Sequence, residues 1–133
     1  MENEYVISSV IGNVKIVEII LHRLASEVEI GANKAQDLRL MLGESIVNAI
    51  VHGNQAEPEK QVIIQYRIEK RSISFCIIDQ GTGFDIKGVK DPTNRRNVEE
   101  MGGRGVFIIQ NLSDECSYCL TDKSFQFSVN LDD

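Results

Sequence analysis

Apolar residues in the first part of the chain recur every three or four positions, which is the spacing of one helical face. After Asn13, five residues follow this spacing: Val17, Ile20, Leu21, Leu24 and Val28. Gly31 ends this pattern, and a second apolar stripe runs through residues 33–52, with Asn33 as a good N-cap. The pattern therefore predicts two consecutive helices, with an edge strand over residues 5–11 before them.

Farther along the chain the hydrophobic period changes to two. Four strands follow this alternation, around residues 62–68, 72–79, 115–121 and 125–131. Lys70-Arg71 predicts a tight turn between the first two strands, and the polar, glycine-rich residues 80–104 predict a long loop before a short helix over 105–112. Helices followed by hairpin-connected strands predict an α+β fold, a two-layer α/β sandwich whose mixed, mostly antiparallel sheet carries helices on one face.

Composition narrows the class of protein. At 133 residues and 42% hydrophobic content, residues 1–133 are expected to form a single folded domain. The net charge of -6 argues against a nucleic-acid partner, although it does not exclude a nucleotide held at a local site. We expect no membrane span and a cytoplasmic location, because no apolar run nears about 20 residues, the N-terminus is acidic, and three cysteines cannot form a closed disulfide framework.

The second predicted helix carries an unusual polar series. Glu44, Asn48 and His52 are spaced by four, which places them on one side of a helix. A solvated helix face would explain this spacing, but Asn is a poor helix former in a helix interior. A carboxylate one turn from an amide also suits chemistry, since the first accepts protons and the second coordinates a hard cation.

Two further motifs are rich in glycine. Asp79-Gln80-Gly81-Thr82-Gly83-Phe84 follows a hydrophobic strand, where an Asp can accept a hydrogen bond from an amine and glycines let the backbone pass close to a flat ring. Gly102-Gly103-Arg104-Gly105 precedes a helix, whose free N–H groups can hold a phosphate. An ordinary Asp-Gly turn and a glycine-rich hinge without a ligand are the alternative interpretations.

In this order, the three motifs resemble the N, G1 and G2 boxes of the GHKL ATPase superfamily, which has the Bergerat ATP-binding fold. Within it, the chain is most similar to anti-sigma factor serine-protein kinases of the RsbW/SpoIIAB kind. The resemblance covers nearly the whole chain, including residues 43–53, Asp91-Pro92-Thr93 and residues 103–109. It fails at Lys123-Ser124, where a Gly-Thr pair is usual.

The resemblance implies that the ligand is ATP with Mg²⁺. Glu44 would be the general base, Asn48 would bind the Mg²⁺ that bridges the phosphates, and Asp79 would accept the adenine amino group. A lid over residues 85–102 would cover the phosphates. The remaining contacts to the nucleotide would come from Gly81, Gly83, Gly103, Arg104, Gly105 and Val106.

The resemblance further implies an anti-sigma factor that phosphorylates a serine of an anti-anti-sigma (STAS-type) protein, binds a sigma factor and forms a homodimer. The alternative is a non-catalytic protein-binding module gated by nucleotide, and a stand-alone ATPase is a third possibility. His52 is expected to make a structural hydrogen bond. Arg95 and Arg96 either contact the γ-phosphate or a partner protein, or belong to a solvated loop without such a role. We interpret His22 as a surface residue, and Cys116 and Cys119 as structural cysteines.

Overall fold

A layer of helices covers one face of a five-stranded sheet. The structure is a computed structural model that describes residues 3–81, 104–119 and 121–132. Along these residues the elements are, in order, β1 (Asn3–Ser8), a 3-10 turn (Ile11–Lys15), α1 (Ile16–Glu27), α2 (Ala32–Val47), a π-helical turn (Asn48–Gly53), β2 (Gln61–Glu69), β3 (Ser72–Ile78), α3 (Arg104–Leu112), β4 (Glu115–Cys119) and β5 (Ser124–Asn130). None of the helices in these ranges is long and apolar enough to cross a membrane.

The strands lie in the order β1-β2-β3-β5-β4, and each described pair is antiparallel. β1 is an edge strand, as the sequence predicts, but it ends at Ser8, because the chain turns into the 3-10 turn at Ile11. At the turn between β2 and β3, Lys70 has a φ of 55°, which reverses the chain tightly. The structure confirms the predicted two-layer α+β architecture.

An aromatic ladder crosses four strands on the helix-covered face. The ring centroids of Tyr5 and Tyr66 lie 6.5 Å apart, those of Tyr66 and Phe75 5.9 Å, and those of Phe75 and Phe127 5.1 Å. Such cross-strand aromatic pairs stabilise a sheet beyond the area that they bury. The ladder forms the floor on which the two N-terminal helices pack.

The predicted apolar stripes account for the helical side of the core. Val17, Ile20, Leu21 and Leu24 of α1 are buried, and Val28 packs partly buried against them. From α2 and the π-helical turn, the buried hydrophobic residues are Leu38, Met41, Leu42, Ile46, Ala49 and Ile50. Periodicity therefore predicts the packed faces of both helices.

The second helix differs from its prediction at both ends. Gly31 has the extended backbone of an N-cap and accepts a hydrogen bond from the N–H of Ala35 at 2.9 Å, so Asn33 lies inside the helix and is not its cap. At the other end, the α-helix gives way after Val47 to the π-helical turn, in which the N–H of Asn54 donates to the carbonyl of Ala49 at 2.8 Å. π-turns widen a helix by one residue and are frequent at functional sites.

Candidate functional site

Glu44 and Asn48 meet the start of α3. A Cβ added to Gly105 would lie 2.7 Å from Oε2 of Glu44 and 3.4 Å from Nδ2 of Asn48, so glycine permits this close approach. Asn48 is 7% exposed, whereas Glu44 is half-buried. The structure thus brings the helical motif against the helix that follows the second glycine motif.

The chemistry available at this meeting point follows from three kinds of group. The first turn of α3 presents backbone N–H groups and the positive end of the helix dipole, which attract an anion. The Asn48 carboxamide oxygen is a hard ligand of the kind that Mg²⁺ prefers, and the Glu44 carboxylate is a proton acceptor. Arg104 is the first residue of this helix.

Asp79 is fixed directly after the end of β3. Its N–H donates to the carbonyl of Lys123 at 3.1 Å, and its Oδ1 accepts the N–H of Gly81 at 3.1 Å. The carboxyl group packs against the end of the π-helical turn, where a Cβ on Gly53 would lie 2.6 Å from Cγ of Asp79. Asp79 is therefore held by hydrogen bonds to its backbone N–H and to its Oδ1, and its carboxyl group is packed against Gly53.

Burial raises the pKa of the Asp79 carboxyl, because removal from water disfavours the charged form. The Gly81 N–H and the charges of Lys123 and Lys60 oppose this shift. A buried carboxylate whose second oxygen accepts no described hydrogen bond is suited to accept one from a ligand amine.

Asp79 and Asn48 line the same narrow crevice between the helices and the sheet. Its full lining is Ser45, Asn48, Ala49, Ile77, Asp79, Val106, Tyr118 and Phe125. Most of the lining residues are apolar, and the crevice has a volume of about 10 Å³, which is room for about one water molecule. Five of these residues were not predicted as site residues: Ser45, Ala49, Ile77, Tyr118 and Phe125. Strand register is a signal for three of them, because it pairs Phe125 with both Ile77 and Tyr118 on the face that Asp79 shares.

Gly81 has a structural explanation. A Cβ on this residue would overlap the carbonyl oxygen of Gly53, so the two backbones touch where β3 ends and the π-helical turn ends. The sequence predicts a nucleotide contact for Gly81, and that remains a prediction. The observed contact joins the first glycine motif to the end of the helical motif.

The other candidate residues have different positions. His52 is exposed, since the π-helical turn breaks the four-residue spacing that would align it with Asn48. Ser124, which stands where the resemblance leads one to expect a threonine, is buried and pairs with Ile78; that it supplies the hydroxyl stays a prediction. Gly83, Gly103 and the predicted lid over 85–102, with Arg95 and Arg96, lie outside the described residues.

Sequence comparisons agree with this geometry. The family described as histidine kinase-like ATPase domain matches residues 8–125. The chain is 27% identical to the serine-protein kinase RsbW of Listeria innocua over 101 residues, which is 71% of this chain and 64% of that protein. It is 26% identical to the RsbW of Bacillus licheniformis, covering 77% of this chain and 68% of that protein, and 29% identical to the anti-sigma F factor of Bacillus cytotoxicus, covering 71% and 66%. The chain thus spans less than two thirds of the length of the Listeria relative.

The contact between Gly53 and Asp79 predicts opposite effects for two identical substitutions. Gly53→Ala places a methyl group 2.6 Å from Cγ of the buried Asp79, and we expect a loss of about 1–3 kcal/mol in the free energy of unfolding. Gly43→Ala is the matched control, because nothing lies within 4 Å of its added Cβ, and alanine in a helix should gain roughly 0.5–1 kcal/mol. Urea unfolding measures both, and equal effects would contradict the close packing at Gly53.

Asp79→Asn should stabilise the protein without ligand at neutral pH. The raised pKa means that the ionised carboxylate is less favourable in the folded than in the unfolded state, and asparagine keeps an oxygen for the Gly81 N–H. The cost is fully present above the folded-state pKa and disappears as pH falls toward the ordinary value of 3.8. Thermal unfolding of both proteins across this range should show a higher Tm for the variant at pH 7 and a difference that shrinks on acidification. A lower Tm for Asp79→Asn than for the unmodified protein at pH 7 would contradict the conclusion that the ionised Asp79 carboxylate is unfavourable in the folded state.

Proposed function

Because this chain belongs to the family of histidine kinase-like ATPase domains, we propose that it is an ATP-binding anti-sigma factor with serine-protein kinase activity. One observation carries the proposal: the buried Asn48 and Asp79 line a single crevice that also contains Val106 of α3. An adenine-binding end, a cation-binding amide and a phosphate-binding helix start then lie within one site. The names of the relatives, serine-protein kinase and anti-sigma factor, support the choice of a protein serine as acceptor.

Asp79 recognises the adenine ring. The carboxylate oxygen that accepts no hydrogen bond from the described residues accepts one from the exocyclic amine, and the apolar side chains of Ile77, Val106 and Phe125 move apart to contact the ring faces. Guanine would present a carbonyl oxygen to the same carboxylate and be repelled. Gly81 and Gly83 complete this end of the nucleotide site.

The start of α3 holds the phosphates. The backbone N–H groups of Gly105 and Val106 donate to phosphate oxygens, with Gly103 and Arg104 beside them. The Asn48 carboxamide oxygen would hold Mg²⁺, which would supply positive charge against the charge that develops on the phosphate oxygens.

Glu44 acts as the general base in this proposal and works from the solvent side. Its carboxylate contacts Gly105, and the same side chain lines an open groove with Val14, Leu40 and Val47. A serine hydroxyl that enters from this groove gives its proton to Glu44 as its oxygen bonds to the γ-phosphorus. The bond between that phosphorus and the bridging oxygen breaks at the same time, and ADP leaves.

The acceptor would be an anti-anti-sigma protein of the STAS type, and the second partner a sigma factor. The name anti-sigma F factor of one relative supports the sigma factor, and the resemblance to the RsbW/SpoIIAB kind supports the antagonist and a homodimer in the cytoplasm. Phosphorylation of the antagonist would leave the sigma factor bound to this chain. The regulatory signal and the substrate would both be carried by other proteins.

Replacement of the proposed base separates chemistry from binding. Glu44→Gln keeps the size of the side chain but cannot accept the serine proton, so transfer should fall by about 10²–10⁴-fold while ATP affinity stays unchanged. Transfer of labelled γ-phosphate to a candidate antagonist measures the first quantity and calorimetry the second. Glu29→Gln, an exposed residue away from the crevice, is the matched control. Unchanged transfer in Glu44→Gln would exclude this base, and ATP binding without any transfer in the unmodified protein would favour the nucleotide-gated module.

The amide of the proposed cation site has a different signature. Asn48→Ala should remove most of the gain in ATP affinity that Mg²⁺ provides, because the carboxamide oxygen is then missing. ATP affinity is measured with Mg²⁺ and again with excess chelator, and the ratio of the two should fall toward one. Asn33→Ala, on the exposed start of α2, is the control. A ratio like that of the unmodified protein would show that Asn48 does not hold the cation.

A further inference from the structure

Asn54 is a buried polar residue to which the proposed mechanism gives no role. It follows the π-helical turn, is 0% exposed, and makes three side-chain hydrogen bonds. Its Nδ2 donates to Oγ of Ser9 at 2.7 Å and to the carbonyl of Gln61 at 2.9 Å. Its Oδ1 accepts the backbone N–H of Gln80 at 2.8 Å. A carboxamide buried this completely requires such partners, because an unpaired one would cost stability.

The bond to Gln80 acts on the backbone of Asp79. The N–H of Gln80 belongs to the peptide group that follows the Cα of Asp79, and the N–H of Asp79 belongs to the peptide group that precedes it. Lys123, the residue before β5, holds the preceding peptide group through its carbonyl, and Asn54 holds the following peptide group through its Oδ1. With both peptide planes fixed, the direction of the Asp79 Cα–Cβ bond is fixed as well.

The neighbouring contacts leave this backbone little freedom. Gly81 lies against the carbonyl of Gly53, and Oε1 of Gln80 accepts the N–H of Gln61 at 2.6 Å. Asn54 connects them, because its amide reaches the strand β2, the residue after β1 and the residue after Asp79 at once. Among the described side chains, it is the Asn54 carboxamide that joins these three segments.

We propose that Asn54 is a positioning residue that aims the Asp79 carboxylate and thereby sets affinity for adenine nucleotides and their preference over guanine nucleotides. The inference rests on the proposed function, in which Asp79 recognises the adenine amine. Without the bond to Gln80, the peptide after Asp79 loses the hydrogen bond that sets its orientation, and within the freedom that the neighbouring contacts leave, the carboxylate shifts away from the direction of that amine. Loss of aim weakens ATP selectively, since a guanine nucleotide gains nothing from this carboxylate.

Three variants separate positioning from general stability. Asn54→Ala removes all three bonds. Asn54→Asp keeps the oxygen that accepts the Gln80 N–H but loses the donor to Gln61, so it should cost stability and retain aim. Ser9→Ala is the matched control, because it removes one partner of the same carboxamide and leaves the bond to Gln80 in place.

Binding of Mg-ATP and Mg-GTP to the full chain is measured by calorimetry, well below the Tm of each variant. We expect Asn54→Ala to bind ATP about tenfold more weakly, which is the loss of roughly one charge-assisted hydrogen bond, and to bind GTP no more weakly than the unmodified protein does. The ATP affinity of Asn54→Asp should stay within about threefold of that of the unmodified protein, and the ATP affinity of Ser9→Ala should equal that of the unmodified protein. The ATP-to-GTP ratio is the readout that a merely structural role would not change.

Each other result has a defined meaning. ATP affinity in Asn54→Ala equal to that of the unmodified protein, or equal losses for ATP and GTP, overturns the positioning role. If Asn54→Ala does not fold, Asn54→Leu replaces it, because leucine has a similar volume but cannot accept the Gln80 N–H: a lower ATP-to-GTP ratio supports the role, and the ratio of the unmodified protein overturns it. If the unmodified protein binds no ATP, the proposed function has failed, which is distinct from a failure confined to Asn54.

Discussion

The site depends on one close contact, in which the end of the π-helical turn touches the end of β3. Gly53 and Gly81 have no side chains, so the backbone of the helix layer and the backbone of the sheet layer meet directly. A helix and a sheet normally pack through side chains, at a distance that would leave Asp79 separated from Asn48. The contact allows both residues to line one crevice. The absence of side chains at Gly53 and Gly81 therefore allows the polar groups of the two layers to lie close together.

Polar burial at this contact has a structural cost that the core has to offset. Asp79, Asn48 and Asn54 are all nearly inaccessible to water, and Asp79 keeps a carboxyl group whose charged form is disfavoured there. Asn54 makes three side-chain hydrogen bonds, whereas within the described ranges the Asp79 carboxylate accepts one, from the Gly81 N–H. The aromatic ladder and the apolar faces of α1 and α2 supply the compensating stability. Buried polar groups that lower the stability of the fold are typical of binding sites.

Hydrophobic periodicity predicts most of the fold because each element buries one continuous face. The stripes of α1 and α2 and the alternation of β2, β3 and β5 all reappear in the core. Motif order predicts Glu44, Asn48 and Asp79 as candidates, and the structure brings them together, although their chemical roles remain predictions. The π-helical turn could not be predicted, since it leaves no periodic signal in the sequence. The role of Asn54 could not be predicted either, because its partners Ser9 and Gln80 are distant in the chain.

The pairing of β3 with β5 has a consequence for how this architecture can vary. Ile78 and Ser124 are directly opposed in adjacent strands, so the segment between them, which contains α3 and β4, begins and ends at neighbouring points of the sheet. Closing a longer loop costs only about 0.6 kcal/mol for each doubling of its length. Added length in the connections of this segment, outside α3, β4 and the residues that line the crevice, therefore costs the scaffold little. Relatives with this architecture can vary the surface that they offer to other proteins while keeping the crevice that Asn48 and Asp79 line.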